Sequence, residues 1–324
     1  MPTKRISALF NPEQYHGWGR KKRFFEGWYY KIVSENQLHA LAIIPGIAMD
    51  ATGKQHAFIQ VFDGNKSRAD YHTFAMADFC PKPHDFDVEI GENRFNKTAL
   101  SLNLPDLKGE LRFDDHVHWP SSWYSPNIMG PFSFFPFLEC YHGVVSMDHT
   151  IHGELELDGV RIDFNGGKGY LEKDWGHSFP SAHIWMQSNH FSRPDVSLNI
   201  SIAKTTLLKA KFVGFIAGLW MGQEVIRFTT YNFSTLKKSV PGEDLVEIIL
   251  ENKRHRLEIV AHRGSTTALI APIAGLMSGR VEECMTAKIH VKLIEKRTGD
   301  TLLEDIGTSG AIEVAGNIQD LTIP

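Results

Sequence analysis

Apolar and polar residues alternate with a period of two along much of this 324-residue chain. The clearest example is the pair of runs 154–157 and 160–164, which flank Asp158-Gly159. A period of two places successive side chains on opposite faces of a β-strand, and Asp-Gly favours the two-residue turn of a tight hairpin. The pattern therefore predicts antiparallel β-structure with a hairpin that turns at Asp158-Gly159.

Similar short runs recur in both halves of the chain, separated by turn residues such as Gly53, Gly91 and Gly299. No stretch shows an apolar stripe of helical period over four turns, although residues 243–251 and 269–281 are candidates for short helices. Many short strands with regular turn signals predict an all-β chain of sandwiches or barrels. No glycine-rich phosphate loop precedes a helical pattern, which argues against a nucleotide-binding α/β fold.

The length favours two domains, because a single domain usually has about 100–200 residues. Residues 119–141 are rich in proline and aromatic residues and carry a single charge, Glu139, before the strand alternation resumes. We interpret this region as a long crossover near the end of the first domain and predict a boundary at Gly166-Gly167, giving domains of residues 1–166 and 167–324. The run Phe132, Phe134, Phe135 and Phe137 could pack between domains, cover an apolar pocket or touch a membrane.

The charge and cysteine content limits the partners and the compartment. Thirty-four Lys and Arg residues against 38 Asp and Glu residues give a net charge of −4, so no nucleic-acid partner is expected. Cys80, Cys140 and Cys284 are too scattered for a disulfide framework or a zinc ribbon. With no long apolar window and no signal-peptide pattern, we expect a cytoplasmic protein, at most peripheral to a membrane.

Sixteen histidines raise the question of a metal site. His116-x-His118 and His149-x-x-His152 are the closest approaches to ligand spacing. Neither pair comes with a third ligand at a recognisable spacing. We therefore expect no bound metal.

Two segments stand out from the strand background. In the first, residues 24–31, Glu26 lies among five aromatic residues. It could pair with a basic residue in a first strand whose Trp28 fills one end of a barrel. Alternatively, aromatic neighbours could raise the pKa of Glu26 and make it an acid.

The second segment, residues 169–180, places Glu172, Lys173, Asp174 and His177 close together and contains Trp175. A buried lysine–carboxylate pair that ties two sheets together would explain it structurally. The same residue types could also form a reaction site, since a carboxylic acid can donate a proton and tryptophan faces stabilise a cation.

The two segments, in this order and at this separation, resemble the tocopherol cyclase family, and the Glu172–Gly176 core is also similar to the related carotenoid hydratases. The resemblance implies two tandem lipocalin-like antiparallel β-barrels without a cofactor. It also implies cyclisation of a prenylated hydroquinone: an acid protonates an alkene, and the phenol oxygen captures the cation, or water does so in the hydratases. Asp174 stands where plant cyclases usually have asparagine and matches the hydratase branch, while His177 and His183 replace a glycine and an aromatic residue.

The resemblance also suggests roles for individual residues. Asp174 and Glu172 are the first choices for proton transfer, Glu26 is the second, and His177 is a possible base. Residues expected to contact a hydrophobic prenyl-type molecule are Trp28, Tyr30, Lys173, Trp175, Trp185, Gln187 and Asn189. We expect Glu26, Trp28, Asp174 and Trp175 to approach one another or to line one cavity. The alternatives are a non-catalytic lipocalin-like carrier and a hydratase of a polyene.

Overall fold

The computed structural model describes residues 8–136, 138–207 and 210–324. Phe137, part of the phenylalanine run, lies outside these residues. The chain forms two compact units. The first comprises the described residues up to Phe179 together with Ile270–Arg280, and the second comprises Pro180–Leu269 and Val281–Pro324.

The first sheet is antiparallel and contains twelve strands within the described residues. They are β1 (Phe24–Val33), β2 (Ala40–Met49), β3 (Gln55–Asp63), β4 (Arg68–Phe74), β5 (Phe79–Pro81), β6 (Asp87–Ile90), β7 (Asn93–Asn96), β8 (Ala99–Asn103), β9 (Leu107–Asp114), β10 (Cys140–Leu157), β11 (Val160–Asp163) and β12 (Gly167–Gly176). Their order is β4-β3-β2-β1-β12-β10-β9-β8-β7-β6-β5, with β11 paired to β10. Strand β12 therefore lies at the centre of the sheet, between β1 and β10.

The first sheet curls around one hydrophobic core. Strands β1 and β7 are five positions apart in the sheet order, which in a flat sheet would separate them by about 24 Å. Yet the ring of Tyr30 on β1 lies 6.0 Å from that of Phe95 on β7, and its hydroxyl donates to the Asn96 carbonyl at 2.9 Å. The strand order ends at β4 and β5, so the ladder of the described residues leaves this barrel open.

The second sheet is also antiparallel and surrounds its own apolar core. It contains ten strands within the described residues. They are β13 (Ala182–Ser188), β14 (Val196–Leu207), β15 (Ala210–Met221), β16 (Glu224–Thr229), β17 (Thr235–Pro241), β18 (Leu245–Glu251), β19 (His255–His262), β20 (Thr267–Ile273), β21 (Leu276–Glu295) and β22 (Thr301–Gly316). Their order is β16-β15-β14-β13-β22-β21-β19-β18-β17, with β20 paired to β21. The predicted all-β class with two antiparallel sheets is confirmed.

Helical structure in the described residues is limited to a short α-helical stretch at residues 8–10 and to 3₁₀ turns at Met76–Asp78, Gly130–Phe134, Thr230–Asn232 and Ile318–Leu321. The two short helices predicted near 243–251 and 269–281 are wrong, because β18, β20 and β21 occupy those positions. In β18, Val246, Ile248 and Leu250 are buried in alternation, which is the strand period. No helix of the described residues is long and apolar enough to cross a membrane.

The predicted hairpin at Asp158-Gly159 connects β10 to β11. Asp158 has φ 53° and Gly159 has φ 79°, the left-handed values that a type I′ turn requires at both central positions. Gly166 also has a positive φ, of 76°, and precedes β12 within the first sheet. The boundary predicted at Gly166-Gly167 thus falls before β12, whereas the compact units divide after it, at Phe179.

Candidate active site

Strand β12 carries the second sequence motif and pairs with strands from both ends of the first unit. Glu26 lies opposite Trp175 and Trp28 opposite Lys173 on β1, while His142 of β10 lies opposite Asp174. The strand period separates the motif into two sets. Lys173 and Trp175 share the core face of Leu171, whereas Tyr170, Glu172 and Asp174 lie on the opposite, outer face.

On the inner face, Glu26 and Lys173 form an ion pair in which both side chains are 0% exposed. The Glu26 carboxylate also accepts backbone N–H groups from His16 at 2.8 Å and Gly17 at 2.9 Å. The Lys173 ammonium donates to the Gln14 carbonyl and to Nδ1 of His16 at 2.8 Å. This inner cluster fastens the segment before β1 to the centre of the sheet.

The inner cluster is charged at neutral pH. Burial opposes ionisation of Glu26, but Lys173 and the His16 hydrogen bond outweigh it, and the pKa of Glu26 falls below its usual value. Burial lowers the pKa of Lys173 to about 8, with Glu26 opposing that shift. A carboxyl with a lowered pKa is a poor proton donor, so Glu26 has the properties of a structural ion-pair partner.

The tryptophan faces of the inner cluster already contact a cation. The Lys173 ammonium lies 4.8 Å from the ring centroid of Trp28 and 5.0 Å from that of Trp175. Trp175 also stacks with His16, at 4.1 Å, and with Tyr141, at 5.4 Å. The geometry shows these rings stabilising Lys173 by cation–π contact, and it offers no separate support for their predicted contact with a substrate cation.

On the outer face, His142 lies between Glu172 and Asp174. Its Nδ1 is 2.9 Å from Oδ1 of Asp174, and its Nε2 is 3.5 Å from Oε2 of Glu172. The Tyr170 hydroxyl donates to Glu172. Exposed fractions of the three ionisable side chains are 25% for Asp174, 11% for His142 and 6% for Glu172, so Asp174 is the most accessible member of this acid–histidine cluster.

The acid–histidine cluster holds a proton at neutral pH. Burial alone disfavours the imidazolium, but the carboxylates of Glu172 and Asp174 outweigh it and raise the pKa of His142 to about 9. One ligand atom from each of the three residues lies within 4.8 Å of the other two. A divalent cation would fit that spacing only after His142 lost its proton, because an imidazolium has no lone pair for a metal.

The remaining predicted residues lie elsewhere. Tyr30 is in the core of the first barrel. His177 is exposed, so the histidine beside the carboxylates is His142 and not His177.

Trp185 and Gln187 are buried on β13 of the second unit, on the face opposite the core residues Ile184 and Met186, and buried Asn189 follows that strand. A cavity of about 560 Å³ between β6 and β9 contains none of the candidate residues and is lined largely by charged and polar side chains.

Sequence reasoning missed His16, His142 and Tyr170 as members of these clusters. His142 is 32 positions before Asp174 and reaches it only through the pairing of β10 with β12. His16 lies before the first strand and has no regular spacing to Lys173, so no periodic signal marks it. Tyr170 was detectable, because a period of two places it on the same strand face as Glu172.

The fold and site define an all-β protein of two curled antiparallel sheets, with a buried acid–histidine cluster on the central strand of the first. A family model described as "Tocopherol cyclase-like" matches residues 102–316. The chain belongs to this family, which confirms the resemblance seen in the sequence.

Plant proteins are among the relatives of the chain. It is 27% identical over 381 aligned positions to a probable tocopherol cyclase, chloroplastic, of Oryza sativa subsp. japonica, covering 97% of this chain and 80% of the rice protein. It is 29% identical over 195 positions to a chloroplastic tocopherol cyclase of Zea mays, covering 56% of this chain and 40% of the maize protein. A cytoplasmic location for this chain stays a prediction.

Two solved structures share the fold. The crystal structure of CghA with Sch210972 aligns with a TM-score of 0.57 and 10% identity, covering 91% of this chain and 89% of that one. The structure of kievitone hydratase from Nectria haematococca aligns with a TM-score of 0.50 and 11% identity, covering 91% and 88%. At such low identity these similarities establish the fold alone.

Proposed function

We propose that this chain is an acid catalyst that adds an oxygen nucleophile across an alkene of a hydrophobic, prenyl-type molecule. Ring closure of a prenylated quinol is the first candidate reaction. The observation that carries the proposal is the 2.9 Å contact between Asp174 and a buried, protonated His142. In this proposal Asp174 passes the proton held by the cluster to the alkene, and His142, across the 2.9 Å contact, is the positioning residue that acts through it.

Asp174 is the most exposed of the three ionisable side chains, so a substrate can reach its carboxyl more readily than that of Glu172. Glu172 holds the other side of the imidazole, and Tyr170 in turn donates to Glu172. This chain of contacts fixes the ring beside the acid.

The proposed reaction balances without an added cofactor. The Asp174 proton forms a C–H bond at the less substituted alkene carbon and leaves a tertiary cation. The phenol oxygen of the same substrate forms the C–O bond, its O–H bond breaks, and that proton returns to the carboxylate. The product is an isomer of the substrate.

Family membership and the tocopherol cyclase relatives favour ring closure. Hydration is the second candidate, and the observation that favours it is Asp174 itself, which matches the hydratase branch of the resemblance. In that reaction water replaces the phenol oxygen as the nucleophile. A non-catalytic carrier is the alternative from a different class.

The test is incubation of the purified protein with a prenylated hydroquinone in D₂O, followed by mass spectrometry and NMR. Alkene protonation introduces one non-exchangeable deuterium on carbon. In H₂¹⁸O, a cyclase product carries no ¹⁸O, whereas a hydratase product carries one atom. A polyene lacking a phenol serves as the parallel substrate for hydration.

Two outcomes would contradict the proposal. Substrate that is bound but recovered unchanged, without deuterium, would favour the carrier. Loss of turnover after dialysis against a chelator, with recovery on adding a divalent cation, would mean that the acid–histidine cluster acts through a metal and not through a proton.

A further inference from the structure

Four consecutive cations precede the first strand. Arg20, Lys21, Lys22 and Arg23 are all exposed, and none of them forms an ion pair with the described residues. Trp18, two positions earlier, is 39% exposed. In a chain with a net charge of −4, this is a local concentration of uncompensated positive charge.

A long aromatic loop lies between β9 and β10 of the same unit. Residues 119–138 contain no charged side chain. Phe134 is 49% and Phe135 39% exposed, and Trp123 and Tyr124 of the same loop are more exposed still. Exposed apolar side chains are common singly, but a group of large aromatic residues marks an interaction surface.

One hydrogen bond joins the segment before β1 to the aromatic loop, and a second joins the loop to β10. The Asn127 side-chain amide donates to the Leu9 carbonyl at 2.9 Å, and the Tyr141 hydroxyl donates to the Phe135 carbonyl. Arg20 is close enough to Tyr141 to lower the pKa of its hydroxyl, against the larger raising effect of burial. Arg20 and Phe135 therefore both lie near Tyr141.

We infer that this surface, formed by Trp18, Arg20–Arg23, Phe134 and Phe135, binds an anionic lipid bilayer. Clustered Lys and Arg side chains are attracted to anionic headgroups, and aromatic rings partition into the headgroup region. The combination of cations and aromatic rings fits a lipid surface better than a nucleic acid. Exposed phenylalanine rings have no favourable interaction with the phosphates of a duplex, and the net negative charge of the chain repels them. We call it the docking surface.

The docking surface lies at the end of the β10–β12 ladder that carries the acid–histidine cluster. Tyr141, which binds the Phe135 carbonyl, is opposite Trp175, and the next pair along the ladder is His142 and Asp174. At about 3.3 Å per residue, the cluster lies one such step along the strands from Tyr141. A prenyl substrate dissolved in the bilayer would thus be delivered near Asp174; this link rests on the proposed function, whereas the binding itself does not.

The test is sedimentation of the protein with two kinds of vesicle, one of phosphatidylcholine alone and one in which about one lipid in three is phosphatidylglycerol. The second kind carries a negative surface potential. We expect binding to the anionic vesicles that weakens as salt is raised. Replacing Arg20, Lys21, Lys22 and Arg23 together by glutamine should reduce binding at least about tenfold. The matched control replaces four exposed lysines of other surfaces, Lys108, Lys211, Lys237 and Lys253, and should bind like the wild type.

A second pair of variants tests the aromatic part. Phe134→Ser with Phe135→Ser should weaken binding several-fold, whereas Phe233→Ser, at a side chain that is 96% exposed in the second unit, should not. All these side chains are exposed, and unchanged thermal unfolding would verify folding.

The inference is overturned if the wild type does not bind anionic vesicles or if both four-site variants bind equally. It is also overturned if the Arg20–Arg23 variant loses only the binding of a double-stranded oligonucleotide, which would make the partner a nucleic acid. None of these readouts requires turnover, so failure here is distinct from failure of the proposed reaction.

Discussion

Lys173 and Asp174 are adjacent in the sequence, yet their side chains lie on opposite faces of β12 and serve different clusters. Lys173 is 0% exposed and pairs with Glu26 inside the barrel, whereas Asp174 contacts His142 on the outer face. The two clusters therefore predict different consequences of substitution. The inner one should govern stability, and the outer one should govern turnover.

Asp174→Asn should reduce turnover of a prenylated hydroquinone by about 100-fold or more while substrate binding is retained. It keeps the shape of the side chain and removes the acid, and general acid catalysis typically contributes a factor of this size. Steady-state rates and a binding titration measure the two effects.

The matched control is Asp114→Asn, which alters an exposed aspartate 3.6 Å from His152 and should leave turnover unchanged. Full activity of Asp174→Asn with loss of activity in Glu172→Gln would identify Glu172 as the acid.

The stability contributed by His142 should decrease as the pH rises. Its pKa is raised to about 9 by Glu172 and Asp174, so its stabilising effect is complete below the unfolded-state pKa of about 6.5. The effect is lost as the pH rises through about 9, and its size is on the order of 3 kcal/mol.

Urea unfolding at pH 6 to 10 should show this decrease as the difference between the wild type and His142→Asn. Lys173, whose pKa of about 8 makes stability rise with pH above that value, contributes equally to both proteins. His290→Gln, at a half-buried histidine 3.7 Å from Glu304, should keep the wild-type slope; an equal slope in His142→Asn would contradict the charge assignment.

Lys173→Met should destabilise the fold by about 3–5 kcal/mol, because it leaves the buried Glu26 carboxylate without its cation. The double variant Glu26→Gln with Lys173→Met should recover a large part of this loss. Denaturant unfolding measures both. The control is Lys292→Met, which breaks a partly exposed pair with Glu304 at 2.9 Å and should cost less than about 1 kcal/mol.

Variants of the same pair also test the choice of acid. Glu26→Gln in the folded double variant should still incorporate deuterium from D₂O into the product. Turnover abolished there, at full folding, would make Glu26 the proton donor.

His149 should make the fold sensitive to acid. Its ring is 1% exposed and lies 4.7 Å from the ring of Phe113 and 5.0 Å from that of His116. Burial and His116 hold the pKa of His149 well below its ordinary value. The unfolded chain gains a proton below about pH 6.5 that the folded chain does not, so stability should fall as the pH falls through that range.

The measurement is the thermal midpoint between pH 7.5 and 5. His149→Leu removes the buried titrating group and should flatten the decrease, whereas His152→Leu, at an exposed side chain, should not. A wild-type midpoint that is independent of pH over this range would contradict the assignment.

Local patterns were sufficient for the fold class and for the hairpin. The period of two and the Asp158-Gly159 turn depend on interactions between residues close in sequence, and the sheets follow from them. The same local reasoning was wrong for residues 243–251, where β18 alternates buried and half-buried residues. A short apolar run fits either period until its neighbours in the sheet are known.

The membership of the two clusters depended on tertiary structure. The sequence identified the carboxylates, Lys173 and the tryptophans by their residue types, and a strand period alone would place Glu172 and Lys173 on opposite faces. Only the pairing of β12 with β1 and β10 decided that Lys173 meets Glu26 and that Asp174 meets His142. These contacts join residues about 150 and 32 positions apart. Because strand pairing is set by the packing of the whole barrel around its core and not by neighbouring residues, no local pattern could assign those partners.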